Sequence, residues 1–246
     1  MESEQSIAQD DFSITLNDVF IPERLHISHL SFSAGSLTHL MGQNGAGKST
    51  LLHVIAGITP LLNHDAVSFN GLSVNAMSRH RCLLTQNNHN AFGLTVGEIF
   101  SFYTPYHEAP WEIEKVLEVN QFITRDIDTL SGGQQQRVQL ARCMMQVWQM
   151  AESGQAILLF DEPFDALDLA YQIQWLALLQ QLKLLGNIII VAHHQLMWLN
   201  ECGTDDVLIL QVGQTQLFGN VAEQWGAQCL IDYFGINAAQ IPVHLR

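Results

Sequence analysis

The chain has 246 residues, 24 acidic and 10 basic, for a formal net charge of −14. Proteins that wrap nucleic acid need clustered Lys and Arg to neutralise phosphates, and no such run occurs here, so nucleic acid is excluded as a partner. At 48% hydrophobic residues the chain can bury a large α/β core, yet its longest apolar runs are strand-length, far below the roughly 18 residues of a membrane span.

Met1–Asp11 is polar and acidic, lacks the apolar stretch of a secretory leader, and reads as a frayed terminus. Phe12–Val19, Leu25–Phe32 and Leu37–Met41 read as strands separated by turn residues such as Pro22 and Gly35. The third runs directly into Gly42-Gln43-Asn44-Gly45-Ala46-Gly47-Lys48-Ser49, and Ser49–Gly57 reads as the helix beyond. Ala66–Asn70 and Arg81–Thr85 are two further expected strands. The cysteines (Cys82, Cys143, Cys202, Cys229) are scattered without a Cys-x-x-Cys pair, which points to a reduced compartment and away from zinc. His26, His29 and His39 sit in ordinary strand-and-turn sequence.

From Asn87 to about Met150 the pattern becomes helical, with helices expected over Trp111–Val119 and Gln134–Met150. Val138, Ala141, Met145 and Trp148 fall at helical spacing in the second and read as core. Strands return at Ala156–Phe160 and Ile188–Ala192 around a helix over Ala170–Leu185, the signature of a parallel β-α-β unit. The expectation is one domain over 1–246: a nucleotide-binding α/β core from 1–86 and 151–246, and a helical insertion at 87–150.

The chemistry begins at the glycine loop. Gly42, Gly45 and Gly47 permit turns that aim consecutive backbone N–H groups at a phosphate, and the following helix N-terminus adds partial positive charge. Lys48 would reach the β- and γ-phosphates, Ser49 would offer its hydroxyl to magnesium, and Thr50 is a weaker phosphate contact. Asp161 ends the apolar strand Ile157–Phe160, where an unpaired buried carboxylate would be costly, and the phosphoryl-transfer template puts such an acid beside magnesium. Leu130-Ser131-Gly132-Gly133-Gln134 is a second anion-binding start to a helix, with Ser131 as N-cap and two glycines admitting close approach. If both loops serve one nucleotide, two subunits must meet head to tail.

Together these three segments resemble the ATP-binding-cassette (ABC) ATPases, over nearly the whole chain. The resemblance implies a P-loop fold with a mainly parallel sheet, a small antiparallel β subdomain and a helical insertion, and an ATPase using ATP and Mg2+. It implies that Glu162 polarises the attacking water. Gln86 would sense magnesium and couple to a membrane partner, with Ser49, Gln86 and Asp161 grouped around the metal. Ser131, Gly132, Gly133 and Gln134 would complete the partner copy's site, and Asp168 would lie in the loop crossing the dimer interface. His194-Gln195-Leu196 resembles the family's His-Asp-Leu with Gln195 replacing the aspartate, so His194 is taken as the switch histidine and the adjacent His193 stands as the alternative. Phe20 lies at about the family's distance for stacking on adenine, with a core role as the alternative.

A single nucleotide unit without a fused membrane segment resembles the bacterial importers, whose ATPases homodimerise on the cytoplasmic face of the inner membrane. Their partners are polytopic permease subunits and, indirectly, a periplasmic substrate-binding protein. Leu16-Asn17-Asp18-Val19, Arg24-Leu25, His39-Leu40 and the spacer Gln146–Gln155 are similar to the cobalamin (vitamin B12) branch. Siderophore and haem importers, and less closely non-transport cassettes, are the alternatives. The aromatic stretch Ala91–Trp111 reads either as core or, just after Gln86, as a groove for a permease helix.

Overall fold

The computed structural model describes residues 12–69, 76–86, 93–199 and 203–237; the expected frayed start, Cys202 and Phe92 lie outside them. Among the described residues the strands form two sheets. β1 (Ser13–Ile21) pairs antiparallel with β2 (Leu25–Ser33) and with β4 (Val67–Phe69) in the smaller one, ordered β2-β1-β4. The six-stranded sheet runs β5-β6-β7-β3-β8-β9, from β5 (Arg81–Leu84) through β6 (Ile157–Asp161), β7 (Ile188–Ala192), β3 (Ser36–Met41) and β8 (Asp206–Gln211) to β9 (Gln214–Asn220). It is parallel apart from the β8–β9 hairpin. The β6–β7 pairing is the expected parallel unit, joined through α6 (Leu169–Leu184).

The central strands show why the chain folds this way. Every residue of β6 and β7 is buried, as a parallel sheet covered on both faces requires. Side chains alternate between faces. Leu158, Phe160, Ile189 and Val191 enter one core, while Ile157, Leu159, Ile188 and Ile190 enter the other. The second core is closed by the small antiparallel sheet and α1 (Lys48–Ile55). The first is closed by α6 and by helices between β5 and β6: α2 (Val96–Tyr103), α3 (Trp111–Leu117), α4 (Gly132–Met145) and α5 (Trp148–Glu152). Trp175 of α6 is fully buried edge-on to Phe160, ring centroids 5.4 Å apart, so truncating Phe160 to Ala should cost ~3–5 kcal/mol.

The sequence predicts one helix over Gln134–Met150, whereas the structure has two. α4 begins at Gly132 under a capping box in which the Ser131 hydroxyl accepts from Gln134 N–H and the Gln134 side chain accepts from Ser131 N–H. It stops at Met145, and Val147 leaves helical geometry at φ −125°, ψ 15° before α5 starts. The apolar spacing continues across the break because Met145 and Trp148 face the same core. Arg137 pins α4 in place: its guanidinium donates to the Leu117 carbonyl at 2.8 Å and lies 4.2 Å from the Tyr171 ring centroid. The short α7 (Leu196–Leu199) follows β7, while α8 (Val221–Gln224) and α9 (Ala227–Phe234) follow β9. None of the described helices is long and apolar enough to cross a membrane.

Candidate active site

Parallel strands end on one edge, and in open α/β sheets that edge binds ligands. Here β3 ends at Met41 and delivers the glycine loop, and β6 ends at Asp161 in register with Ala192, the last residue of β7. Glu162 N–H donates to the Ala192 carbonyl at 2.9 Å. The carboxylates at 161–162 and the histidines at 193–194 therefore emerge side by side next to the loop. A cleft of about 450 Å³ opens there, lined by the loop from Asn44 to Thr50, Gln86, Asp161, Glu162 and His194.

The loop is shaped by contacts only glycine allows. At Gly42, φ is +149° and a Cβ would sit 2.5 Å from the Leu210 carbonyl oxygen. Lys48, the first residue of α1, is buried, and its ammonium donates to the Gly42 carbonyl across 2.9 Å. Burial lowers its pKa, with Glu162 and Asp161 opposing the shift. The turns at Arg24 and Gly213 brace the loop from outside: Gly213 N–H donates to the Ala46 carbonyl at 3.0 Å and His26 N–H to the Gly213 carbonyl at 2.7 Å.

Glu162 holds φ +51°, a left-handed conformation rare for a glutamate and frequent where function imposes strain. Burial pushes its carboxyl up to about 7; Lys48 opposes this, and Asp165 and Asp161 add to it. A carboxylate poised near neutrality suits general-base chemistry. His194 Nε2 lies 2.7 Å from Glu162 Oε1, and burial followed by Lys48 lowers the histidine's pKa, with Asp165 and Asp161 opposing.

His193 faces the other way. It is buried against His39, with His39 Nδ1 2.8 Å from His193 Nε2, and burial drives its pKa well down, aided by His39 and His194. His39 Nε2 in turn reaches Asp205 Oδ2 at 3.1 Å. His39 lies in strand β3 as the sequence suggests, and the structure adds that it is a buried polar residue bonded on both ring nitrogens.

Ser131 and Gly132 are exposed, and Ser131–Gln134 is absent from the cleft lining among the described residues. Gly133 is backed by its own chain, since a Cβ there would lie 2.7 Å from the Ala166 carbonyl oxygen. Asp168, exposed, is the N-cap residue of α6. Phe20 is 58% exposed on β1, edge-on to His26, and the cleft lining on that side comes from Glu23 and Arg24, neither of which the sequence marks as a site residue.

Comparison with known proteins decides the family. Residues 25–165 match the profile described as ABC transporter. The chain belongs to the ABC transporter family. It is 30% identical over 240 residues to the vitamin B12 import ATP-binding protein BtuD of Vibrio cholerae serotype O1 (strain M66-2), covering 93% of this chain and 95% of that protein. It is also 30% identical over 225 residues to the hemin import ATP-binding protein HmuV of Escherichia coli O157:H7, covering 84% of each. In fold it is similar to the ATP-binding subunit of an ABC transporter, with TM-score 0.70 at 19% identity, covering 94% of this chain and 98% of that one. A nucleotide-free ATP-binding cassette superposes with TM-score 0.66 at 21% identity, covering 85% and 91%. This ABC protein is an ATPase with the α/β P-loop fold of the family. Ser49, Gln86 and Asp161 share the cleft and offer a hydroxyl, an amide and a carboxylate, a hard oxygen set that fits magnesium.

Proposed function

We propose that this ATPase powers a bacterial importer for vitamin B12 or related corrinoids, and that it works as a homodimer. The observation that carries the dimer is the separation within one chain of Ser131–Gln134 from the cleft that holds Lys48 and Glu162. A second copy, turned head to tail, would bring its Ser131, Gly132 and Gly133 to the phosphates bound by Lys48 of the first. ATP then favours the closed pair because the phosphates are fully coordinated only there, and closure biases the permease between its two access states.

In the closed site Glu162 accepts a proton from water as the water oxygen bonds to the γ-phosphorus. The bond from that phosphorus to the β,γ-bridging oxygen breaks, and ADP leaves with the electron pair. His194 orients Glu162 through its Nε2–H, and Glu162 in turn holds the water. Ser49, Asp161 and Gln86 would hold magnesium, which supplies charge neutralisation of the β- and γ-phosphates. The backbone N–H groups of Gly42–Ser49 cradle the β-phosphate, Thr50 adds a contact, and adenine lies beyond Arg24 toward Phe20. Asp168 lies where the two copies face each other.

The partners are polytopic permease subunits, with a periplasmic substrate-binding protein beyond them, and the ATPase sits peripherally on the cytoplasmic face of the inner membrane. The helices of 87–150 face the permease, where Phe102 and Trp111 expose 78% and 71% of their surface. Of the groove expected just after Gln86, Leu94 packs against the core. Identity to a vitamin B12 import protein supports the cargo; equal identity to a hemin import protein makes haem the second reading. Purification of the tagged protein from native membranes in mild detergent, with mass identification of co-eluting chains, tests this. A permease with a corrinoid-binding partner is expected. A haem or siderophore system changes the cargo, and ribosomal or DNA-associated chains without a permease overturn the importer.

A further inference from the structure

His194 is half exposed, its side chain 51% accessible, and its ring touches Glu162. Packing alone cannot aim such a ring, so its orientation must come from the backbone of residues 193–195. Gln195, standing where the family carries an aspartate, turns its side chain to accept from Trp198 Nε1–H. The segment is tied down instead by its neighbour: Gln195 N–H donates to His193 Nδ1 at 3.1 Å.

That bond fixes the protons along the chain behind it. With His193 Nδ1 accepting, the neutral ring carries its proton on Nε2 and donates to His39 Nδ1. His39 must then carry its own proton on Nε2 and donate it to Asp205 Oδ2. Asp205 is fully buried and held on both oxygens, by Lys183 Nζ at 2.7 Å on Oδ1 and by Gln180 Nε2 at 2.7 Å on Oδ2. The anchor is thus a compensated charge, and the chain runs from the residue before β8 through His39 of β3 to the residue after β7, with every ring nitrogen used once.

We propose that His39 and His193 are positioning residues for ATP hydrolysis, their hydrogen-bonded chain from Asp205 fixing the 193–195 backbone and thereby holding His194 on Glu162. This rests on the reading of His194 and Glu162 as a working pair. The Phe164 ring, edge-on to His193 at 5.6 Å, ties the same histidine to the segment that follows Glu162, so both members of the pair are referenced to one buried ring.

The test uses the full-length protein and MgATP. His39→Leu keeps bulk and removes both hydrogen bonds; kcat should fall about 10-fold with KM for ATP within about 2-fold, because the phosphate loop is untouched. His39→Gln can accept from His193 and donate to Asp205, and should recover to within about 3-fold of the parent. In a His194→Ala background, His39→Leu should cost nothing more, since it acts through His194. Wild-type turnover in His39→Leu, or a full further loss in the His194→Ala background, overturns the proposal. If His194→Ala alone leaves turnover intact, the catalytic reading of His194 fails and the positioning role falls with it. Should His39→Leu fail to fold, nitrogen-15 spectra of labelled histidines in the unmodified protein decide: His39 and His193 should both show the Nε2–H form, and an Nδ1–H form at His193 overturns the chain.

Discussion

Lys48 Nζ donates to the Gly42 carbonyl at 2.9 Å, so the phosphate loop is closed on itself by its own lysine. Burial lowers the pKa of this ammonium, with Glu162 and Asp161 opposing the shift. In the proposed ATP complex this ammonium–carbonyl bond would give way to an ammonium–phosphate pair in which both partners carry charge, the stronger of the two. Lys48→Ala should therefore weaken MgATP binding by about 10-fold or more, read by titration calorimetry. Unchanged affinity would contradict the placement of the phosphates.

Glu162 should be separable from binding. Glu162→Gln keeps the shape and the His194 contact but cannot take the proton, so turnover should drop by about 10²–10⁴-fold while ATP affinity stays within a few-fold. Steady-state hydrolysis and equilibrium binding on the same preparation check this. Parallel losses in both would assign Glu162 to ligand binding.

The elevated Glu162 carboxyl also sets two pH dependences. As a base it works only when ionised, so kcat should rise with pH through about 7 and fall off in acid. For stability the sign is opposite. Glu162 binds its proton more tightly folded than unfolded, so folding gains below about pH 4–5 and loses that gain as pH rises through 7. Glu162→Gln should then raise Tm at pH 8 by about 2–4 °C for each kcal/mol relieved, with the difference vanishing below about pH 4. A pH-independent difference would show that burial does not perturb this carboxyl.

Gly133 offers a test of the signature segment alone. An alanine Cβ would stand 2.7 Å from the Ala166 carbonyl oxygen, forcing the start of α4 away from the loop that leads to Asp168. Gly133→Ala should reduce ATP-dependent association and hydrolysis about 10-fold or more while leaving ATP affinity of the isolated chain unchanged. A loss of nucleotide affinity in the monomer would place the signature in its own chain's site.

Phe102 tests the face proposed to meet the permease. Because it is 78% exposed on α2, Phe102→Glu should leave folding and basal hydrolysis intact, whereas a charge at the packed Leu94 would strain the core. Transport in reconstituted vesicles should fall relative to hydrolysis. Equal loss of both would point to a folding defect.

Much of this molecule is legible in local sequence. The glycine loop announces itself because each residue's role depends on its immediate neighbours, and β6 and β7 stand out as continuous apolar runs. α2 was overlooked although Thr95 and Glu98 form a capping box, because the aromatic-rich segment blurs the helical period. The β8–β9 hairpin was overlooked as well, its turn signalled by Val212-Gly213, both with positive φ. The chain from Asp205 through His39 to His193 could not be read at all. Its members are far apart in sequence, and their meeting depends on β3 lying between β7 and β8, a non-local fact of sheet order. The hint was a histidine in the middle of a short strand that leads into the glycine loop.

The central claim is that one chain holds only part of a working site. Sedimentation velocity on Glu162→Gln, with and without MgATP, measures it most directly. We predict a 27.6 kDa monomer without nucleotide and a stable species of twice that mass with ATP, abolished by Gly133→Ala. A protein that stays monomeric at saturating ATP yet hydrolyses it at the full rate as wild type would contradict the account.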